Sequence, residues 1–148
     1  ADLKAAKTKF ADDKAGADAA AKSIQADAKT KMDKLHGEFL ARLSADLSPE
    51  QVDTVKDGLT YGRAQVVYNA FLGMFPDLKA EQKAQIKAWM AEAREIAMDG
   101  GTSGEKHAVF DKYVGRINNY LSKAGYDLKK GQADLKKANQ TSSETKSK

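Results

Sequence analysis

Apolar residues recur at helical spacing along a chain that contains only two prolines. Residues 2–45 include no proline, and their first apolar positions are spaced by seven: Leu3, Phe10, Ala17 and Ile24. This spacing is typical of one face of a helix. The stripe then becomes denser: Ala28, Met32, Leu35, Phe39 and Leu43. We therefore predict a long, polar N-terminal helix over residues 1–45, whose second half docks on a core while its first half projects or pairs.

A serine followed by a proline marks the start of a second helix. Ser48 is a suitable cap, the proline after it suits the first helical position, and Gln51 closes a capping box. Apolar residues then continue in helical register as far as the second proline. We predict one helix over residues 49–75, kinked at Gly58 and Gly62, as the most buried element. Two separate helices are the alternative.

Two more helices are expected before a polar tail. One covers residues 79–98 and ends at a pair of glycines. The next begins at a Ser103 cap and is closed by Gly125, because glycine readily adopts the left-handed conformation that ends helices. A short amphipathic segment over residues 128–138 follows. Residues 140–148 contain no apolar side chain, which predicts disorder.

These elements predict an all-α fold, namely an antiparallel bundle of about four main helices with a long N-terminal helix and a disordered C-terminal tail. A chain of 148 residues is the usual size of one domain, so we expect a single core. The predicted organisation is an N-terminal helix (residues 1–45), a helical core (46–128) and a basic, partly disordered tail (129–148).

The net charge of +4 lies in the tail. Residues 1–128 carry 19 Lys and Arg against 19 Asp and Glu, whereas residues 129–148 carry six Lys against two acids. A core that bound a polyphosphate backbone would need its own basic stripe, so we expect no nucleic-acid partner. The lack of cysteine excludes disulfides, thiolate zinc sites and a cysteine nucleophile. No apolar run approaches the roughly 20 residues of a transmembrane helix.

Metal binding and catalysis find little support in the residue pattern. His36 and His107 each have an aspartate one turn away, but the chain lacks the two Glu-x-x-His units of a carboxylate-bridged dimetal site. Because there are 21 acids, spacing cannot identify a pair for glycoside cleavage. Neither a glycine-rich phosphate loop nor a serine-nucleophile motif is present. We predict no metal, no cofactor and no catalytic residue.

The helix that begins at Ser103 carries two neighbouring stripes. The predicted core stripe has Asn118 at its edge and consists of His107, Phe110, Val114, Ile117 and Leu121. The second stripe consists of Lys106, Tyr113, Arg116 and Tyr120. Aromatic faces stack on the apolar faces of sugar rings and a guanidinium bonds hydroxyls, so this stripe is a candidate saccharide platform, although the pattern favours the plainer interpretation that follows. The alternative is that these side chains only cover the edge of a core.

Five blocks of sequence stand out: KDGLTYG at residues 56–62, EAREIAMDG at 92–100, KH at 106–107, GRINNYLS at 115–122 and GYD at 125–127. Together they resemble a bacterial family of unknown function that is described as sugar-binding. The likeness runs over residues 32–129, and RINNY is its most specific part. Val114 departs from the family pattern, in which a lysine is expected.

The resemblance implies an exported protein of polysaccharide use, extracytoplasmic (periplasmic or secreted) and with its leader removed. It marks these candidate ligand-binding residues: Asp57, Thr60, Tyr61, Arg94, Asp99, Lys106, His107, Arg116, Asn118, Asn119 and Tyr120. If the kink near Tyr61, the end of the third helix and the start of the fourth meet, the polar residues there form one pocket. The alternative is that the charged residues form ion pairs that set helix register.

Three functions remain open. The leading one is a non-catalytic saccharide-binding or accessory protein of bacterial polysaccharide utilisation. The first alternative is a structural or interaction protein that self-associates or binds a partner helix through the N-terminal helix. The second alternative is a lyase or hydrolase that acts on acidic saccharides.

Overall fold

The computed structural model describes residue 5 and residues 13–145. In that part of the chain the regular structure is entirely helical, in six helices: α1 (Lys14–Asp46), α2 (Pro49–Leu59), α3 (Arg63–Met74), α4 (Ala80–Met98), α5 (Ser103–Lys123) and α6 (Leu128–Thr145). The predicted all-α class is confirmed, and the bundle of four main helices is matched only roughly. The chain divides into two compact units, Ala1–Val52 and Asp53–Lys148. No helix among the described residues is long and apolar enough to cross a bilayer.

The first unit contains the long helix α1. Its cap is Asp13, whose Oδ1 accepts the N–H of Gly16 at 2.9 Å and so satisfies an amide that has no partner within the helix. No residue of α1 is buried, and three large apolar side chains are 41–59% exposed: Met32, Leu35 and Phe39. The docking of its second half stays a prediction. Leu3 and Phe10 lie outside the described residues.

The single kinked helix predicted over residues 49–75 is wrong and the alternative of two separate helices is correct, because the chain breaks between α2 and α3. The start of α2 is as expected, since the N–H of Ser48 donates to Oε1 of Gln51 at 2.9 Å in the predicted capping box. At the other end, Tyr61 and Gly62 adopt left-handed φ angles of 58° and 60°. An α-helix does not continue through such residues, so α3 begins as a separate helix.

The second unit is built on the packing of α3, α4 and α5, with α6 against α3 and α5. Its buried core consists of Val67, Phe71, Phe75, Leu78, Ile86, Met90, Ala93, Ala97, Phe110, Tyr113, Ile117 and Leu121. Full burial of each large apolar side chain contributes about 1.5–3 kcal/mol relative to exposure. These side chains therefore fix how α3, α4 and α5 pack, and with it the positions of the polar residues on their surfaces.

The helices predicted for residues 79–98 and from Ser103 onward are confirmed as α4 and α5. The cap of α5 lies one residue earlier than expected, at Thr102, whose Oγ1 accepts the N–H of Glu105 at 3.2 Å. Gly125 ends this region with a φ of 93°, in the left-handed region as predicted.

The predicted disordered tail is wrong for residues 140–145, which continue α6; residues 146–148 lie outside the described part. Helix α6 approaches α3 closely at two glycines. A Cβ on Gly131 would lie 2.7 Å from Cζ of Phe75, and one on Gly73 would lie 2.8 Å from Cδ1 of Leu135. Packing on α3 fixes the start of α6. Once a helix has been nucleated, each further residue adds a hydrogen bond, so α6 continues beyond its packed part.

The Gly131→Ala substitution tests this close approach. We expect it to lower the free energy of unfolding by about 1–2 kcal/mol, because overpacking against Phe75 outweighs the gain in helix propensity. The matched control is Gly115→Ala in α5, where a Cβ meets nothing within 4 Å. This substitution should raise the free energy of unfolding by up to ~1 kcal/mol, because alanine has the higher helix propensity. Urea unfolding followed by circular dichroism measures both. Equal stabilisation by the two substitutions would contradict the close packing of α6 against α3 at Gly131.

Candidate functional site

Arg94 of α4 joins two carboxylates of α2. Its Nη1 donates to Oδ1 of Asp57 at 2.8 Å, and its Nη2 donates to Oδ1 of Asp53 at 2.6 Å. The two aspartates are one helical turn apart, so a single guanidinium bridges both. Burial opposes the charge, but the hydrogen bonds and charges of Asp57 and Asp53 outweigh it and raise the pKa of Arg94 above its usual value. The guanidinium therefore remains charged.

A cavity of about 260 Å³ opens beside this ion pair, between α2, α3 and α4. We call it the groove. Besides Arg94 and the two aspartates, its lining is polar at Gln65 and Lys87 and apolar at Ala64, Tyr68, Met90 and Ala91. The Arg94 side chain is only 15% exposed, whereas those of Asp53 and Asp57 are 61% and 47% exposed. The carboxylates are thus fixed from the protein side and accessible from the solvent side.

A second ion pair connects the same two helices. Nζ of Lys56 lies 2.8 Å from Oε1 of Glu95, and the Lys56 side chain is 15% exposed. Glu95 Oε1 also lies 3.9 Å from Nη2 of Arg94, which links the two pairs. The end of α2 is thus attached to α4 by a network of charged side chains. This agrees with the predicted alternative that ion pairs set helix register, without excluding a ligand.

The turn after α2 meets the start of α5 at a place that we call the corner. Nζ of Lys106 donates to the carbonyl of Leu59 at 2.7 Å and lies 6.0 Å from the ring centroid of Tyr61. The His107 ring lies 6.1 Å from the same ring at an angle of 51°. A Cβ on Gly100 would lie 2.9 Å from Cγ of Lys106, so the end of α4 is also here. The three chain segments of the pocket hypothesis therefore lie close together, and the single polar pocket itself stays a prediction.

The other end of α5 carries a different group, which we call the aromatic face. Cζ of Arg116 lies 4.8 Å from the Tyr113 ring centroid and 5.7 Å from that of Trp89. Trp89 in turn contacts Tyr120 edge to face, at 5.3 Å and 88°. Nη1 of Arg116 lies 3.5 Å from Oε2 of Glu92. Tyr113, one of the four residues of the candidate platform, belongs to the core and is 8% exposed, which agrees with the interpretation that this stripe packs at the edge of the core.

The remaining candidates occupy separate positions. Thr60 is 1% exposed, and its Oγ1 donates to the carbonyl of Lys56 at 2.9 Å, so its hydroxyl serves the end of α2. Asp99 is half-buried at the end of α4, and on α5 Asn118 is half-buried while Asn119 is exposed. None of the three cavities that we describe is lined by Tyr61, Asp99, His107 or Arg116.

His107 was predicted in the core stripe of α5, and this is wrong because its side chain is exposed. The buried positions of α5 are Phe110, Tyr113, Ile117 and Leu121. Their spacing of three, four and four follows one face of a helix. Extended by one turn toward the start of α5, that face runs through Lys106 and leaves His107 outside it.

Several residues of the groove were missed by the sequence reasoning. Asp53 carries a usable signal, since it lies four residues before Asp57 on the same helix. Tyr68 and Gln65 carry no such signal in the sequence. They reach the groove because the break after α2 directs the start of α3 toward α4. Trp89 was assigned to the core alone, although it is half-buried. Among the residues that the structure describes, no three His, Asp or Glu side chains are grouped so as to hold a metal ion.

Tyr113 provides a pH test of the aromatic face. Burial raises its pKa above the usual 10.0, and a hydrogen bond to Glu92 adds to the rise, while Arg116 opposes it. A pKa raised in the folded state contributes stability below the unfolded pKa, and this stability is lost as the pH rises through the folded pKa. We expect the free energy of unfolding to fall above pH 10.0 and to fall less in Tyr113→Phe.

Urea unfolding over a series of alkaline pH values measures this difference. The control is Tyr120→Phe, which removes a phenol from the same face at a half-buried position. An alkaline loss of stability that is as large in Tyr113→Phe as in the wild type would contradict the assignment.

A comparison with family models matches residues 1–140 of the chain to the family described as "Protein of unknown function (DUF3826)". A search of curated proteins found no match.

Proposed function

The chain belongs to the DUF3826 family, and we propose that it binds a saccharide in the groove between α2, α3 and α4. One observation carries the proposal: Asp53 and Asp57 are held by a single guanidinium in a cavity that Tyr68 also lines. The resemblance stated from the sequence is the reason to propose a saccharide as the ligand, and its candidate residues include Asp57 and Arg94 of the groove.

The two carboxylates suit the hydroxyls of a sugar ring. Arg94 bonds Oδ1 of each aspartate, and the second oxygen of each is an acceptor for neighbouring hydroxyls. Hydrogen bonds to a charged acceptor are roughly twice as strong as neutral ones. Because Arg94 orients the aspartates before a ligand arrives, little side-chain entropy is lost on binding.

The apolar part of the groove suits the other face of a sugar ring. Tyr68 and Met90 line it together with two alanines, and the C–H groups of a pyranose form an apolar face that packs against such side chains. The volume of about 260 Å³ lies just below the roughly 300–1,000 Å³ of pockets for drug-sized ligands. A ligand of one sugar ring is consistent with this volume.

The charges of the groove favour an uncharged sugar. Asp53 and Asp57 are balanced by Arg94 and Lys87, and the carboxylate of an acidic sugar would approach two fixed carboxylates at a cost. The aspartates also lie on one helix and bind one guanidinium. Glycoside cleavage instead uses two carboxyl groups that flank the bond. The groove therefore supports binding, and we assign no catalytic residue.

Replacement of Tyr68 tests the proposal. We expect the wild type to bind at least one methyl glycoside of glucose, galactose, mannose or xylose, measured by calorimetry or ligand-observed NMR. Tyr68→Ala should weaken that binding by up to about tenfold, because one aromatic contact contributes roughly 0.5–1.5 kcal/mol. Methyl glucuronide, which is acidic, should bind more weakly than its neutral counterpart.

The matched control is Tyr120→Ala, since Tyr120 is also a half-buried tyrosine packed on the same core but lies on the aromatic face. Its affinity should equal that of the wild type. Loss of binding in Tyr120→Ala alone would transfer the site from the groove to the aromatic face. No binding of any of the four glycosides at millimolar concentration would reject the proposal.

A further inference from the structure

Tyr61 occupies a backbone position that normally selects glycine. The N–H of Gly62 donates to the carbonyl of Asp57 at 2.8 Å, and the N–H of Tyr61 donates to that of Gly58 at 3.3 Å. This pair of bonds is the Schellman ending of a helix, whose first residue beyond the cap is left-handed and usually glycine. Here that residue is Tyr61, with a φ of 58°. The left-handed conformation is unfavourable for a residue with a Cβ.

Burial of the ring does not offset this strain. Tyr61 is 61% exposed, the highest value among the exposed large apolar side chains in the part of the chain that the structure describes. Its ring is nevertheless oriented by neighbours, since Lys106 lies 6.0 Å and the His107 ring 6.1 Å from its centroid. Lys106 is itself held by its bond to the carbonyl of Leu59. Backbone strain that packing does not explain is concentrated at functional sites, and an oriented, exposed ring is a surface for stacking.

The turn that carries Tyr61 is connected to the groove along the chain and through the backbone of Asp57. The carbonyl of Asp57, whose side chain lines the groove, accepts the N–H of Gly62 and also that of Thr60 at 3.1 Å. Ala64 and Gln65, three and four residues after Tyr61, line the groove as well. Tyr61 is therefore flanked along the chain by groove residues on both sides.

We propose that Tyr61 is a second binding position, which stacks on a further ring of a saccharide whose first ring lies in the groove. This inference rests on the proposed function and defines its ligand as an oligosaccharide. The charge of Lys106 is directed to a backbone carbonyl, so the corner favours an uncharged ring over a phosphate or sulfate. The tyrosine at this helix end costs stability, and the contact between its ring and the ligand is the reason for its presence.

The experiment compares Tyr61→Gly with the wild type, using monosaccharide glycosides of the groove assay and the trisaccharides of the same sugars. We expect the wild type to bind a trisaccharide more tightly than the monosaccharide. Tyr61→Gly should weaken trisaccharide binding by roughly five- to tenfold, the effect of one aromatic contact, and should change monosaccharide binding by less than about twofold. Tyr61→Phe, which keeps the ring, should retain trisaccharide binding.

Thermal unfolding of the same variants separates a binding role from a structural one. Tyr61→Gly should unfold at the same temperature as the wild type or a higher one, because glycine relieves the left-handed strain. A clearly lower unfolding temperature, or unchanged trisaccharide affinity, would overturn the role of Tyr61. Unchanged trisaccharide affinity in Tyr61→Gly together with a loss in Tyr68→Ala would overturn this inference and leave the groove in place. A loss in Tyr61→Gly without any loss in Tyr68→Ala would instead reject the groove.

Discussion

The hydrogen-bonded turn that ends α2 sets the position of both polar sites in the second unit. Its left-handed residues, Tyr61 and Gly62, separate two helices that the apolar pattern alone would join. The break allows the start of α3 to pack in the core while the end of α2 lies against α4. The carbonyl of Asp57 anchors the turn, and its carboxylate bonds Arg94. Without this break the groove would have no third wall, and the Tyr61 ring would not reach α5.

The attachment of α2 to α4 is polar, and this has consequences for what the surface can bind. Arg94 and Lys56 are largely buried, while their carboxylate partners remain partly exposed. Exposed ion pairs contribute only about 0–1 kcal/mol, whereas loss of one partner of a buried pair is costly. The network therefore depends on the two cations, and the exposed oxygens of the aspartates remain accessible to a ligand. An apolar contact at the same place would have closed the groove.

The fold could be predicted where local chemistry determines it, whereas of the residues that line the groove only Asp57 and Arg94 were candidates from the sequence. The Ser48 capping box and Gly125 identify helix ends because each satisfies backbone groups within a few residues. The break at Tyr61 was expected only as the alternative to a kink, because no intrinsic preference places a left-handed tyrosine there. His107 was misplaced because one residue of rotation separates the two faces of α5. The extent of α6 depends on the fit of Gly131 against Phe75, and Tyr68 reaches the groove only through tertiary packing.

The location of the bound saccharide is the most direct test of the account. Backbone amides of ¹⁵N-labelled protein would be followed by NMR during titration with the best-binding trisaccharide. We expect the largest shift changes at the end of α2, the turn at Tyr61, the start of α3 and Arg94 of α4, with little change around Trp89 and Tyr120. Changes centred on Trp89 and Tyr120, or confined to α6, would contradict it.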